Sequence, residues 1–150
     1  MGGLGEAGMG SRERVFTILV VEDNGVIALE FEDAIRRHGG RVLGPAVRVS
    51  DALALIETTQ CDAALLDIKL ANGETVYPVA ERLYAKRIPF AFVTGWDGDL
   101  GARYGNASVL RKPFGEAELD RCLRMLIDRI MHGENALGGL EANTPAMLSD

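Results

Sequence analysis

The sequence predicts an α/β fold: a doubly wound, five-stranded parallel sheet with strand order 2-1-3-4-5. Three observations carry that prediction. Short apolar runs rich in β-branched residues are bounded by turn residues, as expected of strands buried on both faces. Between them, apolar residues recur at helical spacing. The two patterns alternate strictly, five times, which is the signature of βα units joined by right-handed crossovers.

The elements follow in order. Residues 1–14 are rich in Gly with scattered charge, a composition that predicts disorder, so order is expected to begin at Val15. The run 15–21 (VFTILVV) is the first strand. Ile27, Phe31, Ala34, Ile35 and His38 share one helical face, and Gly39-Gly40 ends that helix. Residues 41–47 read as a short second strand. Ser50 is the expected N-cap of a second helix carrying Leu53 and Ile56. Residues 61–66 form a third strand. Val76, Val79, Ala80 and Leu83 mark a third helix, with Pro78 in its first turn, where proline is tolerated. A fourth strand spans 89–93. Residues 97–105 contain three glycines and predict a weak helix at most. A fifth strand covers 107–110, and a last helix starts near Glu116 with Leu119, Cys122, Leu123, Leu126, Ile127 and Ile130 in one stripe. Residues 132–150 are polar, contain Gly, and are expected to form a flexible tail rather than a second domain.

Composition narrows the function. The chain has 150 residues, 47% of them hydrophobic, with a net charge of −6. That balance suits one folded domain and argues against a phosphate-backbone binder, so no nucleic-acid partner is expected. No apolar run reaches the roughly 20 residues a membrane-spanning helix needs, and the N-terminus lacks the apolar core of a secretion signal. No membrane partner and a cytoplasmic location are therefore expected. Cys61 and Cys122 lack CxxC spacing and read as buried, inert thiols.

In open parallel sheets ligands bind beyond the carboxyl ends of the strands, where the strand order reverses. Strand one ends in Glu22-Asp23, strand three in Asp67, strand four in Thr94-Gly95, and strand five in Lys112-Pro113. The order 2-1-3-4-5 makes strands one and three neighbours at the reversal, with Glu22, Asp23 and Asp67 in one cleft flanked by Thr94 and Lys112. Three carboxylates repel one another more than one lysine can offset. Mg²⁺ can offset them: it takes oxygen ligands, accepts one or two carboxylates and leaves room for a phosphoryl oxygen. A carboxylate can itself accept a phosphoryl group as an acyl phosphate, with lysine and a threonine hydroxyl stabilising its charge.

The segments VVEDN, LLDIKL, FVTGW and LRKPF, in this order and each at a strand end, resemble the receiver domains of two-component signalling over roughly residues 16–131. The resemblance implies a flavodoxin-like receiver fold over 15–131 and a phosphoacceptor response regulator. It implies Asp67 as phosphoacceptor, Asp23, Asp67 and the Lys69 backbone carbonyl as Mg²⁺ ligands with Glu22 acting through water, Thr94 and Lys112 as phosphoryl-binding switch residues, and a cis bond before Pro113. It also implies a sensor histidine kinase as donor. A downstream protein or phosphotransfer partner would receive the signal, which would leave through protein contacts, since no output domain is expected after residue 131. Such a chain is no enzyme in the ordinary sense and catalyses only its own phosphorylation and dephosphorylation. One position departs from the pattern. The aromatic residue often found three places before the lysine is here Val109. The stretch PFAFVTGW is similar to the FAT GUY subgroup, known mainly from alphaproteobacteria and often paired with HWE-type or related kinases.

Each motif alone has a plainer explanation: Glu22-Asp23 as a helix-start pair favoured by the dipole, and Asp67, Thr94-Gly95 and Lys112-Pro113 as ordinary turn chemistry. Their joint placement favours the site. His38 and His132 are expected at helix C-termini, where a cation complements the dipole. A haloacid-dehalogenase-like phosphatase would place its general-acid aspartate two residues after the nucleophile, where Lys69 stands. A pseudo-receiver would have lost Asp67, Asp23 or Lys112. A flavin mononucleotide carrier needs a phosphate loop after strand one, where Glu-Asp-Asn-Gly has the wrong charge.

Overall fold

Alternation along each strand sorts the side chains of this protein into two cores, one on each face of the sheet. The computed structural model describes residues 15–95, 104 and 107–133. Among them lie β1 (Thr17–Val21), α1 (Gly25–Arg37), β2 (Arg41–Ala46), α2 (Val49–Thr58), β3 (Ala63–Asp67), α3 (Tyr77–Ala85), β4 (Phe90–Thr94), β5 (Ser108–Arg111) and α4 (Glu116–His132). The strands pair in parallel in the order β2-β1-β3-β4-β5, as predicted. Successive side chains of a strand point to opposite faces. Ile18, Val20, Leu65, Ala91 and Val93 accordingly pack against Phe31 and Ile35 of α1 and Leu119, Leu123 and Leu126 of α4. Leu19, Val21, Leu66, Phe90 and Phe92 pack against Ile56 of α2 and Val79 and Leu83 of α3.

Local chemistry sets the helix ends. Asn24 caps α1, its Oδ1 accepting from the backbone N–H of Val26 and Ile27 at 3.0 and 3.1 Å. At the other end Gly39, at φ +88°, lets its own N–H reach Arg36 O and the Gly40 N–H reach Ile35 O, both at 2.9 Å. This closes the helix as a Schellman motif. The expected cap at Ser50 is not the one used. The second helix starts at Val49, its N-cap is Arg48, and no side chain of the cap residue bonds the helix. The Val49 N–H goes instead to Glu74 Oε1 at 2.9 Å. The last helix runs through His132 and is capped by Gly133, so it extends past the expected boundary at 131.

Several strands shift by a residue or two from their expected bounds, and pairing explains why. Asp67 pairs with Val93, and Thr94 pairs with Arg111. The chemically important residues are thus the last paired positions of β3 and β4 rather than the first of a loop. In β2, Gly44 has φ +98°, and a Cβ there would sit 2.9 Å from Val20 O and 2.7 Å from Ala46 N. Only glycine fits, and the β1–β2 register breaks between Leu19 and Val21. The expected weak helix at 97–105 and the tails at 1–14 and 134–150 lie outside the described residues, Tyr104 excepted. Tyr104 is helical and only 3% exposed.

Candidate functional site

β1 and β3 are neighbours, with Val21 level with Leu66, so Glu22 and Asp23 emerge beside Asp67. One carboxylate oxygen from each of the three lies within 4.8 Å of the others. Glu22 is 1% and Asp67 6% exposed, whereas Asp23 is half-buried. Each is held differently. Glu22 Oε2 accepts from the Asn24 backbone N–H at 3.1 Å, which ties the site to the cap of α1. Asp23 Oδ2 accepts from the Ala71 N–H at 2.5 Å, which ties it to the loop after β3.

Lys112, the residue just after β5, completes the cluster. Its backbone N–H donates to Thr94 O at 2.8 Å. Its Nζ lies 3.2 Å from Glu22 Oε1 and 3.5 Å from Asp67 Oδ1. One ammonium thus faces two buried carboxylates, with a third adjacent. The imbalance appears on Asp67, whose carboxyl is pushed up to about 7. Burial is the main cause, and the charge of Glu22 adds to it; Lys112 works in the opposite direction. Glu22 Oε1 is fully buried yet accepts no well-formed hydrogen bond. A buried carboxylate oxygen balanced by an ammonium it shares with Asp67, beside two other carboxylates, suits a hard cation, which prefers oxygen ligands. The donor set therefore fits Mg²⁺.

The sequence-predicted residues converge to different degrees. Glu22, Asp23, Asp67 and Lys112 share one cluster. Thr94 is buried at the end of β4, 4% exposed, next to Lys112 through the backbone bond just described. Lys69 lies just beyond β3 and forms an antiparallel bridge with Thr75. The Lys112–Pro113 bond is cis, and so is Gly44–Pro45. Val109 pairs with Phe92 and packs against the core on the α2/α3 face. Trp96 lies outside the described residues.

Sequence reasoning missed one residue near Val109. The Phe92 ring meets Tyr104 edge-on, with centroids 5.2 Å apart, and Tyr104 stacks on Tyr77 at 5.0 Å. The Tyr104 hydroxyl donates to Glu81 Oε2 at 2.7 Å. Tyr104, between Arg103 and Gly105, belongs to no periodic apolar run, so only the tertiary contacts reveal it. His38 and His132 sit at helix ends, on Asp120 at 3.2 Å and Asp128 at 2.9 Å. Cys61 is buried and Cys122 half-buried, and burial raises both thiols to about 11, which keeps them protonated and unreactive at neutral pH.

No protein-family model matches the chain. Among solved structures it is similar to SdrG from Sphingomonas melonis Fr1, with 38% identity and a TM-score of 0.67 over 75% of this chain and 97% of that one. It is also similar to a CheY-like response regulator receiver domain from Methylobacillus flagellatus, with 25% identity and a TM-score of 0.65 over 75% of this chain and 98% of that one. Among curated proteins, the transcriptional regulatory protein PdtaR of Mycobacterium tuberculosis is 25% identical over 117 residues. The match takes in 75% of this chain but spans only 57% of PdtaR's length.

Proposed function

The chain belongs to the response-regulator receiver family, and from that premise we propose that Asp67 accepts a phosphoryl group from the phosphohistidine of a sensor histidine kinase. The observation that carries this reading is the buried cluster of Asp67, Glu22 and Lys112 at the carboxyl end of the sheet. In the transfer, an Asp67 carboxylate oxygen attacks phosphorus, the P–N bond to the donor imidazole breaks, and an acyl phosphate forms. The Lys112 ammonium lies beside the acceptor oxygen and pairs with the incoming phosphoryl charge. The Thr94 hydroxyl, at the end of the neighbouring strand, donates to a phosphoryl oxygen. Asp23, Asp67 and the Lys69 carbonyl would hold Mg²⁺, with Glu22 acting through water. An ion held there would neutralise the crowded carboxylates and polarise the phosphoryl group.

The phosphorylated chain then signals through protein contacts in the cytoplasm, and the protein catalyses only its own phosphorylation and dephosphorylation. No described helix is long and apolar enough to cross a membrane. The PFAFVTGW segment points to the FAT GUY subgroup and to an HWE-type or related kinase as donor. Incubation with acetyl phosphate or a phosphorylated kinase, followed by intact-mass analysis, tests the assignment. One phosphoryl group should be added to the wild type and none to Asp67→Asn. Undiminished labelling of that variant would overturn it.

A further inference from the structure

The loop after β3 bears the Lys69 carbonyl, and its shape depends on a residue the site itself does not contain. Leu70 N–H donates to Glu74 O, and Gly73 N–H to Leu70 O, both at 3.0 Å. The Glu74 N–H donates to Asn72 Oδ1 at 3.0 Å, and Lys69 bridges to Thr75. Residues 69–75 are therefore a closed turn, not a free strand connection. Two of its bonds tie that turn to neighbouring elements. On one side the Ala71 N–H holds the Asp23 carboxylate. On the other, Glu74 Oε1 takes the Val49 N–H, the first amide of α2, at 2.9 Å.

The second bond serves both ends. A helix leaves its first N–H groups unpaired unless something caps them, and the cap residue of α2 offers no side-chain acceptor. The cap comes instead from a loop 25 residues further along the chain. A carboxylate at a helix N-terminus is also favoured by the dipole. The Glu74 carboxyl is held below its ordinary range, chiefly by the Val49 N–H bond, then by Asn72, with Arg48 adding a smaller share. Glu74 therefore stays charged and bonded at neutral pH.

We propose that Glu74 is a positioning residue for the phosphoacceptor site: by capping α2 it fixes the 69–75 turn, and the turn in turn fixes the Lys69 carbonyl and, through Ala71, the Asp23 carboxylate. The inference rests on the Mg²⁺ reading given above. Groups that orient a metal's ligands without touching the ion commonly control its affinity. Cutting the bond should leave the ligands present but loosely arranged.

The bond can be cut from either side. Glu74→Ala removes the acceptor. Val49→Pro removes the donor at the first helical position, where proline is favoured, and Arg48, at φ −130° and ψ 151°, already has the extended backbone a following proline requires. Thr58→Val deletes the Thr58 hydroxyl bond to Ala54 O at the far end of α2 and serves as a control for general destabilisation. Mg²⁺ affinity is read by NMR titration of the full chain, with amide exchange at Ala71 as a second readout. Both bond-breaking variants should bind Mg²⁺ about tenfold more weakly, the low end for losing an outer-shell partner. Ala71 should exchange faster in both. The double variant should be no weaker than the weaker single, Thr58→Val should match the wild type, and Glu74→Gln, which keeps an acceptor oxygen, should lie nearer the wild type than Glu74→Ala. Unchanged affinity in folded Glu74→Ala and Val49→Pro, with only a lower melting temperature, would reduce Glu74 to a helix cap and overturn the proposal. So would weakening in Glu74→Ala alone. A wild type that binds no Mg²⁺ would instead overturn the metal reading on which it rests.

Discussion

Asp67 illustrates how a single side chain can set the pH response of the protein. Its carboxyl is pushed from 3.8 to about 7 by burial and by Glu22. A carboxyl raised on folding keeps its proton in the native state while the unfolded chain releases it, so this group's contribution to stability is fully present below about pH 4 and is lost as pH rises towards 7. Without metal, Asp67→Asn should flatten that slope and stabilise the protein at pH 7 by on the order of 1–2 kcal/mol, as urea melts at pH 5 and pH 7 would show. Mg²⁺ should have the opposite effect to rising pH on the wild type. At a hundredfold excess over Kd, binding to the native state adds about 2.7 kcal/mol. Asp23→Ala should lose most of that gain, and an equal melting shift in the variant would argue against the ligand set. The acidic cluster could be read from sequence because the chemistry lies at strand ends, where the residue types are visible without knowing contacts. Glu74 could not, because its partner Val49 lies 25 positions away and Ser50 supplied a plausible local alternative.

Elements, by contrast, were predictable in kind and imprecise at their edges. Apolar periodicity reports what a segment buries, whereas pairing with neighbours decides where it stops, and Asp67 and Thr94 fall inside strands for that reason. The cap of α1 carried a readable signal, an asparagine just before the helix. Asn24→Ala should destabilise the fold by about 1 kcal/mol; it keeps the backbone N–H that Glu22 Oε2 accepts but loosens the helix end that positions it. A lower melting temperature accompanied by weaker Mg²⁺ binding is the expected pair of outcomes. The fourth crossover is where sequence reasoning had least to use. Val109 indicated a missing aromatic, while the structure brings Tyr104 to the Phe92 ring from another position and fastens it to Glu81 of α3. Tyr104→Phe keeps the ring and loses that bond. That bond is partly buried, and a hydrogen bond to a charged group contributes about 1.5 kcal/mol, so chemical denaturation should show a loss of at most that order.

At the scale of the whole molecule, topology followed from alternation because the parallel sheet leaves few alternatives. The central strands are buried on both faces, parallel crossovers are right-handed as a rule, and the reversal of strand order falls where the acidic residues converge. Residues 16–130 supply all the described core. A chain cut back to 15–133 is therefore expected to keep its melting temperature and its rate of labelling by acetyl phosphate. A large loss in either would show that residues beyond those limits pack on the domain.

One edge of that sheet has a further consequence. β2 is an outer strand, and Gly44-Pro45 interrupts it with a bend and a residue that has no N–H to donate. An outer strand with a complete row of donors would be a template on which other chains could add, the first step towards fibrils. β2 offers a broken row instead, so the interruption that shapes the β1–β2 register also makes this edge a poor template for growth into amyloid-like ribbons.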